Sequence, residues 1–371
     1  MSNKTYINKF VSEQNKIKKL LTPGPGSLLP ENLISMRPCF GRGDDDYKKI
    51  ETKVLNRLKK ISEHKHIARL QGSASLALEV IATNFLYGKI LIIDTGVYSD
   101  RIKNMSTFSK KYFKNIKEVK VLKWTEIKKF SKKFDWIFAC PTETSIALRI
   151  PIKDLHSLKK RCGAKLALDA TASIGLEKDH YYSDVLAYSS CKGLFGLTGA
   201  SFIAFDKYPQ NRIDSFYLNI FNHLESKMTG PYHAILSLFN VLPKYNEFKH
   251  SVLVNKRKIT ELMENQMIYS KENQPLLCTY IKKKLTSNNK KVIFYKTRAN
   301  LPGSVVCHLG EIHLKRNSNS IMNIISDENN KKYGCNNCND PSIPLQNKYT
   351  QSCTTQACNI TFADSKGLGL N

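Results

Sequence analysis

The chain has 371 residues, 41% of them hydrophobic, and a formal net charge of +27. That length carries a large core and two domains, no apolar run reaches the length of a membrane span, and the N-terminus, "MSNKTYINKFVSEQNKIKKL", lacks the apolar centre of a signal peptide. The expectation is a cytoplasmic protein whose ten cysteines are reduced, and whose 58 Lys and Arg, spread along the chain, form a solvated basic surface that attracts an anionic substrate rather than a nucleic acid.

Residues 1–20 read as a polar N-terminal extension with helical character. From about residue 68, short apolar runs alternate with helical patterns. The runs are "KILIID" (89–94), "DWIFAC" (135–140), "AKLALDA" (164–170), "DVLAYSS" (184–190) and "ASFIAFD" (200–206). They predict strands covered on both faces. Leu78, Ile81 and Phe85 share one helical face; Ile152, Leu155, Leu158 and Cys162 share another, with Pro151 opening it. The alternation predicts an α/β domain with a mostly parallel sheet, over residues 21–240, in which ligands bind beyond the carboxyl ends of the strands. Long helices follow around 232–265, and a smaller α+β domain over 241–325 contains "KKVIFYK" and "SVVCHLGEIHL". The stretch 326–371 is rich in Asn, Lys, Ser, Thr and Cys, and reads as a disordered tail. Its Cys335, Cys338, Cys353 and Cys358 include one pair at metal-ligand spacing, but reduced thiols with no metal are the preferred reading.

Chemistry-bearing residues fall at the predicted strand ends. "LQGSASLALE" (70–79) puts Gly72, Ser73, Ala74 and Ser75 before a helix, where backbone N–H groups, hydroxyls and the helix dipole attract a phosphate. "DTGVYSDR" puts the flat ring of Tyr98 beyond a second strand, and "CPTETSIALRIPI" offers Glu143, Thr144 and Ser145 at a third. "LDATASIG" ends a strand with Asp169. "YSSCKGLFG" sets Lys192 among small residues just past another. A phosphate cradle, an aromatic face, a strand-end aspartate and a strand-end lysine together suit pyridoxal phosphate. Each feature alone has a plainer reading: a serine cap, a packed ring, a turn aspartate, a surface lysine.

In order along the chain, "LLTPGPG", "GDDDY", "LQGSASLALE", "ETSIALRIPI", "LDATASIG" and "SSCKGLFGLTG" resemble the class V, fold-type-I pyridoxal-phosphate aminotransferases over roughly residues 20–325. Asp44 to Tyr47 and the "LQGS" start favour the 2-aminoethylphosphonate–pyruvate subgroup over the alanine–glyoxylate one. The resemblance implies a cofactor linked to Lys192, with Asp169 at the pyridine nitrogen, Ser73, Ala74 and Ser75 at the phosphate, Tyr98 facing the ring and Thr144 near the ring hydroxyl. It also implies a homodimer, in which Thr229 of "MTGPYH" reaches the phosphate of the neighbouring subunit. The implied reaction is amino transfer from 2-aminoethylphosphonate to pyruvate, with amine and 2-oxo acid as the partners. The alternatives are another class V activity, of the alanine–glyoxylate transaminase or lyase type, and a catalytically degenerate binding protein of the same fold.

The departures are specific. Ala74 and Ala147 stand where the family carries glycine. "SVVCHLGE" (304–311) puts Val305 or Val306 where the family carries the arginine that binds the substrate's acidic group. A guanidinium is not replaced by valine, so either another basic residue, such as Arg298 or Arg42, supplies the cation, or the substrate differs, or the site is degenerate.

Overall fold

The computed structural model describes residues 3–34, 36, 43–287 and 289–309. The expected tail, its cysteines, the end of the small domain and Arg42 lie outside these residues.

Seven strands form the central sheet: β1 (His66–Gln71), β2 (Gly88–Asp94), β3 (Ile116–Lys123), β4 (Trp136–Ala139), β5 (Lys165–Asp169), β6 (Val185–Ser189) and β7 (Ala200–Phe205). Their order across the sheet is β1-β7-β6-β5-β4-β2-β3. Only β7 runs antiparallel to its neighbours; the pairs β6–β5, β5–β4, β4–β2 and β2–β3 are parallel. Every apolar run read as a strand is one. β1 and β3 were not singled out, and each has a physical reason. β3, "IKEVKVLK", is an edge strand of which only Ile116 and Leu122 are buried. In β1, "HIARLQ", Arg69 is buried because Glu51 pairs with its guanidinium, so a buried strand carries a charge.

Alternate residues of β2 show how the core divides. Ile90 and Ile92 join one cluster with Leu78 and Ile81 of α3 (Ala74–Asn84) and Ile102 of α4 (Val97–Tyr112). Leu91 and Ile93 join the other, with Leu58 of α2 (Asp45–Ser62), Leu155 and Leu158 of α5 (Ile152–Cys162) and Ile235 of α6 (Tyr232–Val241). Helices on both faces are what a parallel sheet requires. Pro151 is the residue before α5 rather than its first turn. Asp44, part of the aspartate run, caps α2 by accepting from the backbone N–H groups of Asp46 and Tyr47. Pro243 separates α6 from α7 (Tyr245–Leu262), since proline cannot donate to an uninterrupted helix.

The N-terminal segment is more than a polar extension. α1 (Asn3–Ile17) leads into Lys19–Leu21, which pairs in parallel with Val292–Phe294 of the C-terminal part. Leu21 is fully buried with Ile259, Ile281 and Val306. Beside it, β8 (Cys278–Ile281) pairs antiparallel with β9 (Ser304–Cys307). Trimming a fully buried leucine to alanine costs about 2–5 kcal/mol. Leu21→Ala is therefore expected to lose stability in that range, measured by urea unfolding; a change below about 0.5 kcal/mol would show that Leu21 is dispensable to the core.

Candidate active site

The polar chemistry gathers at one edge of the sheet, beyond the carboxyl ends of β1, β2, β4, β5 and β6 and the start of β7. A cavity of about 410 Å³ there is lined by Ser73, Ala74, Ser75, Tyr98, Thr144, Asp169, Lys192 and Arg298. All of these were expected from the sequence. Thr229 is not with them; it lines a small separate pocket with Arg69, Tyr217 and His223. Val305 and Val306 are buried in β9, in two different apolar clusters, and line neither pocket.

Lys192 is half-buried rather than enclosed. Its ammonium lies 5.7 Å from the centre of the Tyr98 ring. Gly193 explains the small residues beside it: a Cβ there would fall 2.1 Å from the carbonyl oxygen of Ile174, so only glycine lets the lysine loop lie against the "DATASIG" turn. Gly24, from "TPGPG", has φ of +127° and passes so close that an added Cβ would sit 3.0 Å from Cγ of Lys192. The N-terminal motif thus walls the lysine from the other side.

Asp169 ends β5 with 4% of its surface exposed, and one carboxylate oxygen accepts from the N–H of Thr171 at 3.0 Å. Ser73 occupies the N-cap position of α3, yet its hydroxyl makes no cap hydrogen bond. Glu143 is fully buried. Its Oε2 accepts from the Tyr98 N–H at 2.8 Å, and its Oε1 accepts from the N–H and hydroxyl of Ser145. Burial pushes its carboxyl up from the ordinary range, and these hydrogen bonds pull it back. Glu143 is what fixes the start of α4, and with it the Tyr98 ring.

Several lining residues were not singled out in the sequence. Arg101 lies over the Tyr98 ring at 4.9 Å and donates to the Ser75 hydroxyl at 3.1 Å. Its i, i+3 spacing from Tyr98 on a helix was a usable signal. Thr142 and Thr171 also face the cavity, and each hydroxyl oxygen is buried without a hydrogen-bond partner among the described residues. Buried polar atoms are nearly always paired, so these hydroxyls suit a polar ligand. Together with the uncommitted Ser73 at a helix start, they fit a phosphorylated, oxygen-rich cofactor.

At Ala147 the backbone has φ of +49°, in the left-handed region that favours glycine. The alanine keeps its methyl fully buried, worth about 0.8 kcal/mol, which offsets much of the strain.

No protein-family model matches the chain. Among solved structures, pyridoxamine–pyruvate aminotransferase from Mesorhizobium loti superposes with a TM-score of 0.70, at 18% identity, over 84% of this chain and 91% of that one. The fold is that of the fold-type-I aminotransferases. In sequence, the chain is 24% identical over 317 residues to the bifunctional phosphonoacetaldehyde hydrolase/aminoethylphosphonate transaminase of Clostridioides difficile, matching 76% of this chain and 50% of that protein. It is 25% identical over 252 residues to 2-aminoethylphosphonate–pyruvate transaminase of Pseudomonas aeruginosa, matching 62% of this chain and 68% of that one. The chain thus spans half the length of the first relative and about two thirds of the second.

Glu143 supplies a test of the site's architecture. An amide in its place turns one acceptor into a donor that faces existing donors, at a cost of about 1–3 kcal/mol. Glu143→Gln is expected to lose that much stability by chemical unfolding, whereas an unchanged midpoint would remove Glu143 as the anchor of Tyr98.

Proposed function

We propose that the protein is a pyridoxal-phosphate-dependent aminotransferase that moves the amino group of 2-aminoethylphosphonate to pyruvate, giving phosphonoacetaldehyde and L-alanine. The observation that carries this reading is the convergence of Ser73, Ala74, Ser75, Tyr98, Thr144, Asp169 and Lys192, from five separate segments, on one cavity at the strand ends. The aminoethylphosphonate transaminases among its relatives favour the substrate pair.

When bound, the cofactor supplies an electron sink and carries the amino group between the two half-reactions. Lys192 would hold it covalently. The N–H groups and hydroxyls at the start of α3 would take its phosphate. Tyr98 would lie against the ring, Thr144 would meet the ring hydroxyl, and Asp169 would keep the ring nitrogen protonated, its carboxylate pinned by the Thr171 N–H. Lys192 would also be the base that moves the proton from the substrate carbon. Arg298 is the cation for the acidic group of the substrate. It is exposed, and it lines both this cavity and the outer recess shared with Arg101. Thr229, outside the cavity of its own Lys192, would serve the second subunit of a homodimer; Tyr217, 47% accessible, lines the same small pocket.

Borohydride reduction of the cofactor-loaded protein is expected to fix the adduct on the peptide carrying Lys192; recovery on another lysine would sink the assignment. Asp169→Asn should retain fold and some cofactor yet lose turnover by roughly several kcal/mol of transition-state stabilisation. Because Arg298 is exposed, its charge is partly screened. Arg298→Ala is expected to raise KM for both substrates about three- to tenfold while the cofactor absorbance stays intact. The burial of Val305 and Val306 favours one other reading, a class V transaminase with a different amino donor. A panel of amines, followed by the change in cofactor absorbance, separates the two.

A further inference from the structure

A second and larger cavity, of about 960 Å³, lies between α7 and the segments around 149–152 and 173–179. Nothing in the proposed transamination uses it. Half-buried Arg149, Lys249 and Lys256 line it, with exposed Lys178 and Lys271 alongside. Glu177 is the carboxylate that acts most strongly on the two half-buried amines. Its oxygens are already committed: Oε2 accepts from Arg149 Nη1 at 2.8 Å and Oε1 from the Leu276 N–H at 2.7 Å.

The positive groups are left short of partners. The Nε of Arg149 is buried with no hydrogen-bond partner among the described residues. Lys249 has no ion-pair partner among the described residues. Lys256 donates to two neutral carbonyls, of Gln274 and Pro275. Burial pushes both amines down from the ordinary lysine value; Glu177 pulls them back up, while Lys178 lowers Lys249 and Arg149 and Lys271 lower Lys256. Three other carboxylates, Asp179, Glu261 and Glu264, and exposed His250 complete the titratable lining. The carboxylates are not among the charges that act most on Lys249 or Lys256.

Like charges held together in a partly desolvated recess are costly unless an anion joins them. We propose that this cavity is a binding site for a small phosphorylated anion, distinct from the Lys192 cavity. A phosphate group is favoured over a carboxylate for a geometric reason. The flat bidentate fork that carboxylates take from arginine is partly occupied here by Glu177, whereas lysine ammoniums arriving from different directions suit a tetrahedral, doubly charged group. The inference is independent of the activity proposed above.

The test is isothermal titration of the full-length protein, incubated with pyridoxal phosphate, using inorganic tripolyphosphate as the probe and citrate as the carboxylate comparison. The expected result is one saturable site per chain, with citrate at least tenfold weaker. Kd should rise at least tenfold in Lys249→Gln and severalfold in Lys178→Gln. It should not move in Lys110→Gln, which removes an exposed charge on α4, nor in Lys192→Ala. Lys178 is exposed, so that variant decides the matter if Lys249→Gln does not fold. The proposal is overturned by a Kd unchanged in Lys249→Gln or, where that variant does not fold, in Lys178→Gln. Equal loosening in Lys110→Gln (a diffuse basic surface), loss in Lys192→Ala (binding in the first cavity) and no saturable binding at millimolar probe each overturn it too. Citrate binding as tightly as tripolyphosphate would overturn the phosphate assignment.

Discussion

A parallel sheet covered on both faces leaves polar chemistry only one place to go. The interiors of β2, β4, β5 and β6 are apolar on both sides, and a charged group there would have no partner and no water. Loops leaving the carboxyl ends are the first positions where side chains meet free space, and the parallel arrangement brings several of those ends to the same edge. Asp169, Lys192, Tyr98 and the start of α3 are distant in sequence, and this constraint alone makes them neighbours. The antiparallel β7 adds to the same edge from its amino end, through Gly199 and Ala200.

Around that edge the chain fixes its reactive side chains by close backbone approach more than by ion pairs. Gly193 and Gly24 let two segments press on either side of Lys192, and buried Glu143 ties the Tyr98 backbone to the far end of β4. These contacts restrict where the lysine and the ring can sit before any ligand arrives, which lowers the ordering cost of binding. The outer wall is looser. Arg298 is exposed, whereas Arg101 is held by the Tyr98 ring and the Ser75 hydroxyl. The two arginines line both the inner cavity and the recess outside it, so the approach to the inner cavity is positively charged.

The second cavity follows from the same architecture. The 142–152 turn that carries Thr144 toward Lys192 carries Arg149 the other way, and Thr142 borders both spaces. One short segment therefore joins two basic recesses of different character. One is lined by hydroxyls, a carboxylate and Lys192; in the other, Arg149, Lys249 and Lys256 gather beside Glu177, whose oxygens are already committed.

The sequence by itself determined the strand–helix alternation, because runs buried on both faces must be apolar throughout, and it determined which residues would stand at the strand ends, because small, hydroxylated and charged residues interrupt those runs abruptly. Edge strand β3 and charged β1 escaped because their burial is partial or compensated by a partner, Glu51, that no local pattern reveals. The tertiary structure alone decided that Leu21 is core, that Val305 and Val306 face apolar clusters, and that Arg101 and Arg149 point into cavities. It alone set Thr229 apart from its own Lys192. Each of these depends on contacts between segments far apart in the chain, and local periodicity carries no information about which distant surface a side chain will meet.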